Sequence, residues 1–387
     1  MSEAPPIGIG VVGAGMIAQR GILPHLSQPD VADRLTLQAV CDPVPDRAAA
    51  SAERFGIVSA YLTFEELLDD PSVEVVSIAS PIGFHFEQAK AALQAGKHVH
   101  VNKTMTTTVA EADGLISLAR TNDRRIVASP GEVLRPQLTA IRDLIAGGAI
   151  GTPSWAICGC ALGTYHESDE LAERESAPGG MPVDPSWYFR QPGGGPMYDM
   201  TAYALHQLTS VLGPAAKVTA ASSRVVPERE FMGRAIPTEV DDNTIALLEF
   251  SGGMTAVVHG TAAGTVIDDF AAAIYFGTGG TISGLLLDGE PFEFEGRALT
   301  IDAPTWDWDA QMRVLPHVVG PHRELPESHV FEDIMQLVDL VRSGTPTPVT
   351  PEHARHVIEI IEASYRASES GQAQALSTTF EFPPAVV

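Results

Sequence analysis

A glycine-rich turn directly after the first apolar run constrains the fold of this chain more than any other feature. Residues 7–12 form a short apolar run, which is typical of a strand buried on both faces. The turn that follows reads Gly13-Ala14-Gly15-Met16-Ile17-Ala18. From there to residue 26 the pattern is helical. A strand, a glycine turn and a helix in this order predict the first unit of a parallel α/β sheet.

The same alternation continues through the first third of the chain. Strand patterns occupy residues 35–41, 73–79, 98–101 and 126–129, and helical patterns occupy residues 45–55, 84–95 and 110–120. Repeated strand–helix alternation implies parallel strands joined by right-handed helical connections. We therefore predict an N-terminal Rossmann domain, residues 1–130, with a doubly wound parallel sheet.

The pattern changes after this point. A helix over residues 138–145 and a strand over 155–162 precede a long irregular stretch, residues 164–195, and a stretch of that length is usually either functional or disordered. Repeated strand-like runs then extend from residue 217 to about 300. Two amphipathic helices follow at 329–341 and 351–367. We predict that residues 131–387 form an α+β domain with an open, mainly antiparallel sheet, so that the chain as a whole is α/β.

The spacing of small residues in the turn predicts a dinucleotide site. Gly13 allows the tight turn, Gly15 lets the backbone approach a pyrophosphate, and Ala18 lets the helix pack closely on the strand. Met16 and Ile17 begin the helix and would lie against the bound cofactor. The motif is informative because it stands in strand–turn–helix context and precedes further units of the same kind.

Asp42 ends the second strand pattern. An acidic residue there would hold the adenosine ribose hydroxyls and repel a 2′-phosphate, which favours NAD over NADP. Arg47 lies close in sequence and keeps NADP open as an alternative. A second alternative is that Asp42 is a solvated turn residue before Pro43.

Composition excludes some classes of partner. The formal net charge is −25, and hydrophobic residues make up 44% of the chain. Binding to nucleic acid or to anionic lipid needs clustered Lys and Arg, so we expect neither as a partner. The three cysteines, Cys41, Cys158 and Cys160, do not form a disulfide framework, and we interpret the last two as small buried apolar residues on one face of a strand. With no export signal visible, we expect a cytoplasmic protein.

Lys103 is the first candidate for chemistry. It follows the strand pattern at 98–101, and ligands of doubly wound sheets bind beyond the carboxyl ends of strands. A lysine there would exchange protons with a substrate hydroxyl, unless it is simply a surface residue at a strand end. Ser80, Pro81 and His85 follow the third buried strand, and they would border the same cleft.

A second cluster begins after Gly193-Gly194-Gly195. Asp199, Tyr203 and His206 have the spacing i, i+4 and i+7, which places them on one face of a helix. They form either part of a site or a solvent-facing helix side with a structural histidine.

Two further predictions concern ligands of this region. Trp187 and Tyr188 would stack on a sugar ring or pack the preceding loop down. No close Cys/His/Glu spacing suggests zinc, so we predict no metal.

Taken in order, these motifs resemble those of the Gfo/Idh/MocA oxidoreductases. The resemblance covers nearly the whole chain. It is carried by the glycine turn, by Pro81 to His85, by Ala95-Gly96-Lys97-His98-Val99, by Lys103, by the cluster from Gly193 to His206, and by the two C-terminal helices.

The resemblance implies hydride transfer between NAD(P) and a small polyhydroxylated substrate, a sugar, cyclic polyol or related carbonyl compound. It implies that Lys103 assists proton transfer, that Tyr203 is the general acid/base, that Asp199 orients the substrate and that His206 hydrogen-bonds a hydroxyl. In this family the second sheet often forms oligomer contacts, so we expect a homodimer or homotetramer.

Two motifs depart from the family pattern. Asn102-Lys103-Thr104 stands where Glu-Lys-Pro is usual, and we count Asn102 among the cofactor-binding residues. Asp199-Met200-Thr201-Ala202-Tyr203 stands where Asp-x-Gly-x-His is usual. The changed Glu-Lys-Pro motif keeps open the alternative of a non-catalytic NAD(P)-binding regulator. The resemblance itself keeps open NAD-assisted elimination or hydrolysis of a glycoside, because some members of the superfamily work in this way.

Overall fold

The computed structural model describes residues 5–163, 184–231, 233–264, 266–267, 271–300 and 307–381. Within these ranges the α-helices are α1 (Leu23–Leu26), α2 (Arg47–Phe55), α3 (Phe64–Asp69), α4 (His85–Gln94), α5 (Val109–Thr121), α6 (Pro136–Ala146), α7 (Ala202–Leu212), α8 (Trp308–Met312), α9 (Ser328–Arg342) and α10 (Pro351–Ser370). The strands are β1 (Ile7–Val12), β2 (Leu35–Cys41), β3 (Ser59–Tyr61), β4 (Val75–Ile78), β5 (His98–Val101), β6 (Ile126–Ala128), β7 (Pro153–Ala161), β8 (Ala215–Ser223), β9 (Glu228–Phe231), β10 (Arg234–Pro237), β11 (Asn243–Phe250), β12 (Thr255–Thr261), β13 (Ile274–Gly277), β14 (Thr281–Ser283), β15 (Leu286–Leu287), β16 (Glu290–Pro291) and β17 (Gln374–Ala375).

The N-terminal sheet is the predicted doubly wound one. In the described part of the chain it has the order β3-β2-β1-β4-β5-β6, and every pair of neighbours is parallel. Strand β1 is buried along its whole length, as its uninterrupted apolar sequence requires. The strand order reverses between β1 and β4, and a crevice opens beyond their carboxyl ends. The predicted Rossmann fold is therefore confirmed.

The second sheet is larger and mostly antiparallel, as predicted. Among the described residues it runs β16-β15-β14-β13-β7-β12-β11-β8-β17, and β12 pairs with β7 in parallel. Buried and exposed side chains alternate along strand β11. Ala246 and Leu248 are buried under the helical layer, whereas Ile245 and Leu247 face outward. Helices α7 and α10 cover the inner face.

Cys158 and Cys160 lie on β7, and both are buried free thiols. Their Sγ atoms face the carbonyls of Ala204 and Met200 in the helical layer. Burial raises the pKa of the Cys158 thiol to about 12. The interpretation of this pair as small apolar residues on one strand face is therefore confirmed.

Helix α9 belongs to the packing of the first sheet although it lies far beyond residue 130. Its residues Val330, Phe331 and Ile334 share one apolar core with Ile9 and Val11 of β1. The predicted boundary at residue 130 lies between the two sheets, but the apolar core around β1 includes residues of α9 from beyond that boundary. As a consequence, the N-terminal end of α9 reaches the crevice.

The long irregular stretch that the sequence predicts lies mainly outside the described residues, which resume at residue 184. From there, Pro185–Phe189 form a 3₁₀ helix rather than irregular chain. Asp184 caps its start by accepting a hydrogen bond from the backbone NH of Ser186.

Candidate active site

A cavity of about 480 Å³ lies in the crevice between the two sheets. Its walls combine the glycine turn, the carboxyl ends of four parallel strands, the 3₁₀ helix and the start of α7. The predicted cofactor residues that line it are Gly13, Gly15, Met16, Ile17, Asp42, Ser80, Pro81, Asn102 and Lys103. The residues predicted for chemistry or substrate that line it are Asp199, Tyr203, Trp187 and Tyr188.

The glycine turn fits a dinucleotide for two different reasons. Gly13 has φ +87°, and a Cβ there would lie 2.9 Å from the carbonyl oxygen of Ala79. Glycine is therefore required at this position by the fold itself. Gly15 has no atom within 4 Å of the place where a Cβ would lie, although it lines the cavity. That open space is where a pyrophosphate could approach the backbone.

Asp42 is held by several hydrogen bonds at the wall of the cavity, beside the glycine turn. Its Oδ2 accepts a hydrogen bond of 2.9 Å from the backbone NH of Ala14, and its Oδ1 accepts one of 2.9 Å from Val44. Arg47 Nη1 lies 3.3 Å from Oδ1. The residue is only 4% exposed, so Asp42 is not a solvated turn residue. Both Asp42 and Arg47 line the cavity.

Lys103 and Asp199 meet between the two large sheets. Lys103 follows β5, whereas Asp199 lies in the π-helical turn Met197–Thr201 that leads into α7. Lys103 Nζ lies 2.6 Å from Oδ1 of Asp199 and 2.5 Å from its carbonyl oxygen. The side chains are 13% and 5% exposed, so most of the ion pair is shielded from solvent.

Tyr203 completes this group from the first turn of α7. Lys103 Nζ lies 5.1 Å from the centre of its ring. Burial, followed by the charges of Glu327 and Asp199, raises the pKa of Tyr203 well above its ordinary value. The phenol therefore keeps its proton at neutral pH, as a general acid requires.

His329 is a site residue that the sequence analysis missed. Its Nε2 lies 3.0 Å from the hydroxyl of Tyr203, and its Nδ1 lies 3.2 Å from Sδ of Met312. Burial lowers the pKa of His329 well below its ordinary value, so the ring is neutral. The sequence predicted a helix from residue 329 onward, but nothing local indicated that its first turn faces Tyr203.

The two unusual neighbours of Lys103 both hold its loop in place. Asn102 Oδ1 accepts a hydrogen bond of 2.7 Å from the backbone NH of Lys103. Thr104 Oγ1 donates one of 2.5 Å to the carbonyl oxygen of Tyr198, in the π-helical turn. The departures from the family pattern thus leave the lysine fastened to the segment that carries Asp199.

His85 does not lie on the cavity wall. It is 1% exposed, and its two ring nitrogens lie 2.8 Å from the carbonyl oxygens of Thr104 and Ser80. It therefore braces the loops that follow β4 and β5 against each other. The expected direct contact with the cofactor gives way to this role, because His85 begins α4 and its ring turns back beneath the loops.

His206 also lies away from the cavity. It is 3% exposed, and its ring packs on His353 of α10 with 4.6 Å between ring centres. Tyr203 and His206 lie three positions apart in α7, so His206 is rotated by about 60° and lies about 4.5 Å further along the helix, against α10. Asp199 and Tyr203 therefore share the cavity, whereas His206 faces the C-terminal helix.

Trp187 and Tyr188 are placed where either role predicted from the sequence is feasible, stacking on a sugar ring or packing the preceding loop down. Both line the cavity, and their ring centres lie 4.1 Å apart. Tyr188 and Phe189 also belong to a small apolar cluster with Phe231 and Ile236. The pair thus packs its segment down and presents aromatic surface to the cavity.

Two kinds of feature are absent from the described residues. No three His, Cys, Asp or Glu side chains lie together as metal ligands in those ranges. No helix there is long and apolar enough to cross a membrane.

Comparison with known proteins places this geometry in context. Residues 7–129 match the family model described as oxidoreductase family, NAD-binding Rossmann fold, and residues 138–283 match the GFO/IDH/MocA C-terminal domain. The chain is 24% identical to myo-inositol 2-dehydrogenase of Thermotoga maritima over 361 residues, which are 93% of this chain and 96% of the relative. It is 26% identical to levoglucosan dehydrogenase of Pseudarthrobacter phenanthrenivorans over 298 residues, 71% of this chain and 73% of the relative. An oxidoreductase domain protein from Kribbella flavida has a similar fold, with a TM-score of 0.74, 24% identity and coverage of 97% of this chain and 100% of that one.

Proposed function

Because this chain belongs to the Gfo/Idh/MocA family of NAD-binding oxidoreductases, we propose that it transfers a hydride between NAD and one carbon of a sugar or cyclic polyol. Relatives named as acting on myo-inositol and levoglucosan support this substrate class. The observation that carries the proposal is the convergence of Lys103, Asp199 and Tyr203 on the cavity that begins at the glycine turn.

The residues that would hold the cofactor line one cavity. The turn at Gly13 and Gly15 would take the pyrophosphate, and the carboxylate of Asp42 would take the ribose hydroxyls. When bound, the nicotinamide supplies the hydride acceptor or donor. NAD is proposed over NADP because a 2′-phosphate would have to approach the carboxylate of Asp42, although Arg47 beside it leaves some affinity for NADP.

The chemistry at the other end of the cavity is proton transfer. Oxidation of a hydroxyl to a carbonyl releases the hydroxyl proton, and a buried base speeds that loss by about 10²- to 10⁴-fold. We assign this transfer to Tyr203, whose phenol oxygen can accept one proton as it donates another. Lys103 would stabilise the developing oxyanion with its positive charge, and Asp199 would fix the direction of the lysine.

A spectrophotometric assay tests the proposal directly. The purified protein is incubated with NAD⁺ and with myo-inositol, scyllo-inositol, levoglucosan and aldoses in turn, and formation of NADH is followed by absorbance. We expect turnover of at least one compound, with losses of about 100-fold or more in kcat/KM for Lys103→Met and for Tyr203→Phe. Full activity in both variants would contradict the assigned roles.

The same assay separates the two alternatives. Tight NAD⁺ binding without turnover of any compound would favour a cofactor-sensing regulator. Cleavage of a glycoside without net NADH formation would favour elimination or hydrolysis with transient use of NAD. Either result would overturn the proposal of net dehydrogenation.

We also propose that the protein is a homodimer or homotetramer and works in the cytoplasm. The outward face of the second sheet carries Trp155, Ile245 and Leu247, which are 40–47% exposed and would be covered by a second copy. The three cysteines are free, which suits a reducing compartment. Light scattering of the wild type and of Leu247→Glu tests the assembly, and a monomeric wild type would refute it.

A further inference from the structure

Tyr203 is buried, so a proton that it receives from a substrate needs a way out. Its side chain is 5% exposed, and its hydroxyl is 3.0 Å from Nε2 of His329. On the other side of the same imidazole, Nδ1 is 3.2 Å from Sδ of Met312 and 3.8 Å from Oε2 of Glu327. Glu327 lines the cavity, and its side chain is 21% exposed.

The partners of His329 determine its tautomer. A thioether sulfur accepts hydrogen bonds and has no proton to donate, so Nδ1 of His329 carries the hydrogen. Nε2 is then the lone-pair acceptor, and the hydroxyl of Tyr203 must donate to it. The proton of Tyr203 is therefore directed at His329, away from the substrate side.

We propose that His329 and Glu327 form a proton relay that connects Tyr203 to solvent during the reaction proposed above. In the oxidising direction the substrate hydroxyl proton passes to Oη of Tyr203 while the phenol proton passes to Nε2 of His329. The carbon-bound hydrogen leaves with its electron pair to NAD⁺, so one carbonyl, one NADH and one proton result. Because burial lowers the pKa of His329, the ring does not stay charged, and Nδ1 at once releases its proton to the carboxylate of Glu327, which delivers it to water. A flip of the imidazole ring then restores the Nδ1–H tautomer before the next turnover.

The backbone around Glu327 supports a functional placement. Glu327 has φ +57°, a left-handed conformation that is unfavourable for a residue other than glycine. Gly21 makes room for it, since a Cβ at Gly21 would lie 2.6 Å from Cβ of Glu327. Arg20 Nη2 lies 3.8 Å from Oε1 of its carboxylate, which places a positive charge beside the outer end of the relay. The gap of 3.8 Å to His329 closes by rotation of the Glu327 side chain, or through one water.

The relay makes His329 a positioning residue whose chemistry acts through Tyr203. His329→Gln keeps an acceptor for the Tyr203 hydroxyl but cannot carry a proton onward. His98→Gln is the matched control, because His98 stands at the opposite end of β5, far from the cavity. On the best substrate of the polyol panel we expect His329→Gln to lower kcat about 10- to 100-fold with KM changed less than about threefold. His98→Gln should leave both within about twofold.

Two further readouts exclude a purely structural effect. The proton inventory of kcat in mixtures of H₂O and D₂O should be curved for the wild type, because two protons move together, and linear for His329→Gln. Free imidazole should partly restore His329→Ala. Glu327→Gln should slow turnover by about tenfold. A kcat for His329→Gln equal to that of His98→Gln would overturn the relay.

A measurement without substrate keeps the relay and the proposed function distinguishable. Histidine ring ¹⁵N resonances of the resting protein should show His329 as the Nδ1–H tautomer, with an Nε2 shift that changes in Tyr203→Phe. An Nε2–H tautomer would overturn the relay even if the enzyme turns over. If the wild type oxidises no compound while the tautomer is as expected, the proposed function is wrong, but the hydrogen bond from Tyr203 to His329 is confirmed.

Discussion

Lys103 Nζ lies 2.6 Å from Oδ1 of Asp199, and this ion pair joins the end of a Rossmann strand to the helical layer over the second sheet. The contact spans 96 residues of sequence. It is largely shielded from solvent, so loss of either partner leaves the other charge poorly compensated. The pair thus fixes the relative position of two charged groups on the cavity wall.

The first prediction follows from this coupling. We expect Lys103→Met and Asp199→Asn each to lower kcat/KM by about 100-fold, since one removes the charge and the other lets the ammonium turn away. The double variant should be only slightly worse than either single one, because the two residues act as a unit. Steady-state kinetics of the three variants measures the coupling. Losses that multiply would show that the residues act independently.

The glycine turn gives a second prediction, on cofactor affinity. Gly15→Val places its side chain in space where no atom lies within 4 Å, so the free energy of unfolding without NAD should change by less than about 1 kcal/mol. The dissociation constant for NAD⁺ should rise by at least about tenfold, because the same space is needed by the pyrophosphate. Urea unfolding and calorimetric titration with NAD⁺ report the two quantities separately. Unchanged NAD⁺ affinity in Gly15→Val would show that the pyrophosphate does not bind at this turn.

Gly13→Ala is the matched variant with the opposite expectation. At φ +87°, with a Cβ 2.9 Å from the carbonyl oxygen of Ala79, alanine must strain or displace the backbone. We expect a loss of about 2 kcal/mol or more in the free energy of unfolding in the absence of NAD. Wild-type stability in this variant would mean that the turn relaxes freely.

These sites show how far local sequence can predict the structure. The glycine turn, the acidic end of β2 and the lysine after β5 all lie in one strand–helix alternation, so their spacing along the chain fixes their places at one sheet edge. Their convergence on the cavity was predictable for the same reason. Asp199 and Tyr203 were predictable as neighbours because four residues separate them within one helical segment.

The sequence did not predict where His206 and His329 lie, because their positions depend on tertiary contacts that a local sequence pattern does not show. His206 lies about one turn beyond Tyr203 on α7, where the neighbouring element is α10 and not the cavity. Helix α9 returns to the first sheet across the sequence boundary near residue 130, and only this return brings His329 against Tyr203. Its amphipathic pattern predicts a helix, but the apolar core that it joins is set by tertiary packing.

A third prediction concerns the choice between NAD and NADP. Asp42→Asn removes the charge that would repel a 2′-phosphate, while Arg47 remains beside the site. We expect the ratio of the dissociation constants for NADP⁺ and NAD⁺ to fall by about tenfold or more. One of the two hydrogen bonds to Asp42 is lost, so stability should fall by about 1 kcal/mol. In the Asp42→Asn background, Arg47→Gln should reverse the gain in affinity for NADP⁺. If Asp42→Asn leaves the ratio of the two dissociation constants unaltered, Asp42 does not contact the ribose.

A buried network under the first sheet carries the last prediction. Nδ1 and Nε2 of His100 lie 2.9 Å from Oγ of Ser77 and 2.9 Å from Oγ of Ser129. Ser129 Oγ in turn donates a hydrogen bond of 2.5 Å to Oδ2 of Asp333 on α9. Gly131 also donates its backbone NH to the same Oδ2. Burial, as the largest cause, raises the pKa of Asp333 from 3.8 to about 8.

The sign of its effect on stability follows from linkage. Between about pH 4 and pH 8 the unfolded chain has lost this proton whereas the native protein retains it. The contribution of Asp333 to stability is therefore fully present below about pH 4 and is lost as the pH rises towards 8, with a slope of up to about 1.4 kcal/mol per pH unit. Asp333→Asn keeps an acceptor for Ser129 and Gly131 but has no proton to lose, so the variant should gain stability relative to the wild type as the pH rises from 5 to 8. Urea unfolding across this range measures the difference, with the exposed Asp309→Asn as the control. Parallel pH profiles for the wild type and Asp333→Asn would show that Asp333 is ionised in the native protein throughout.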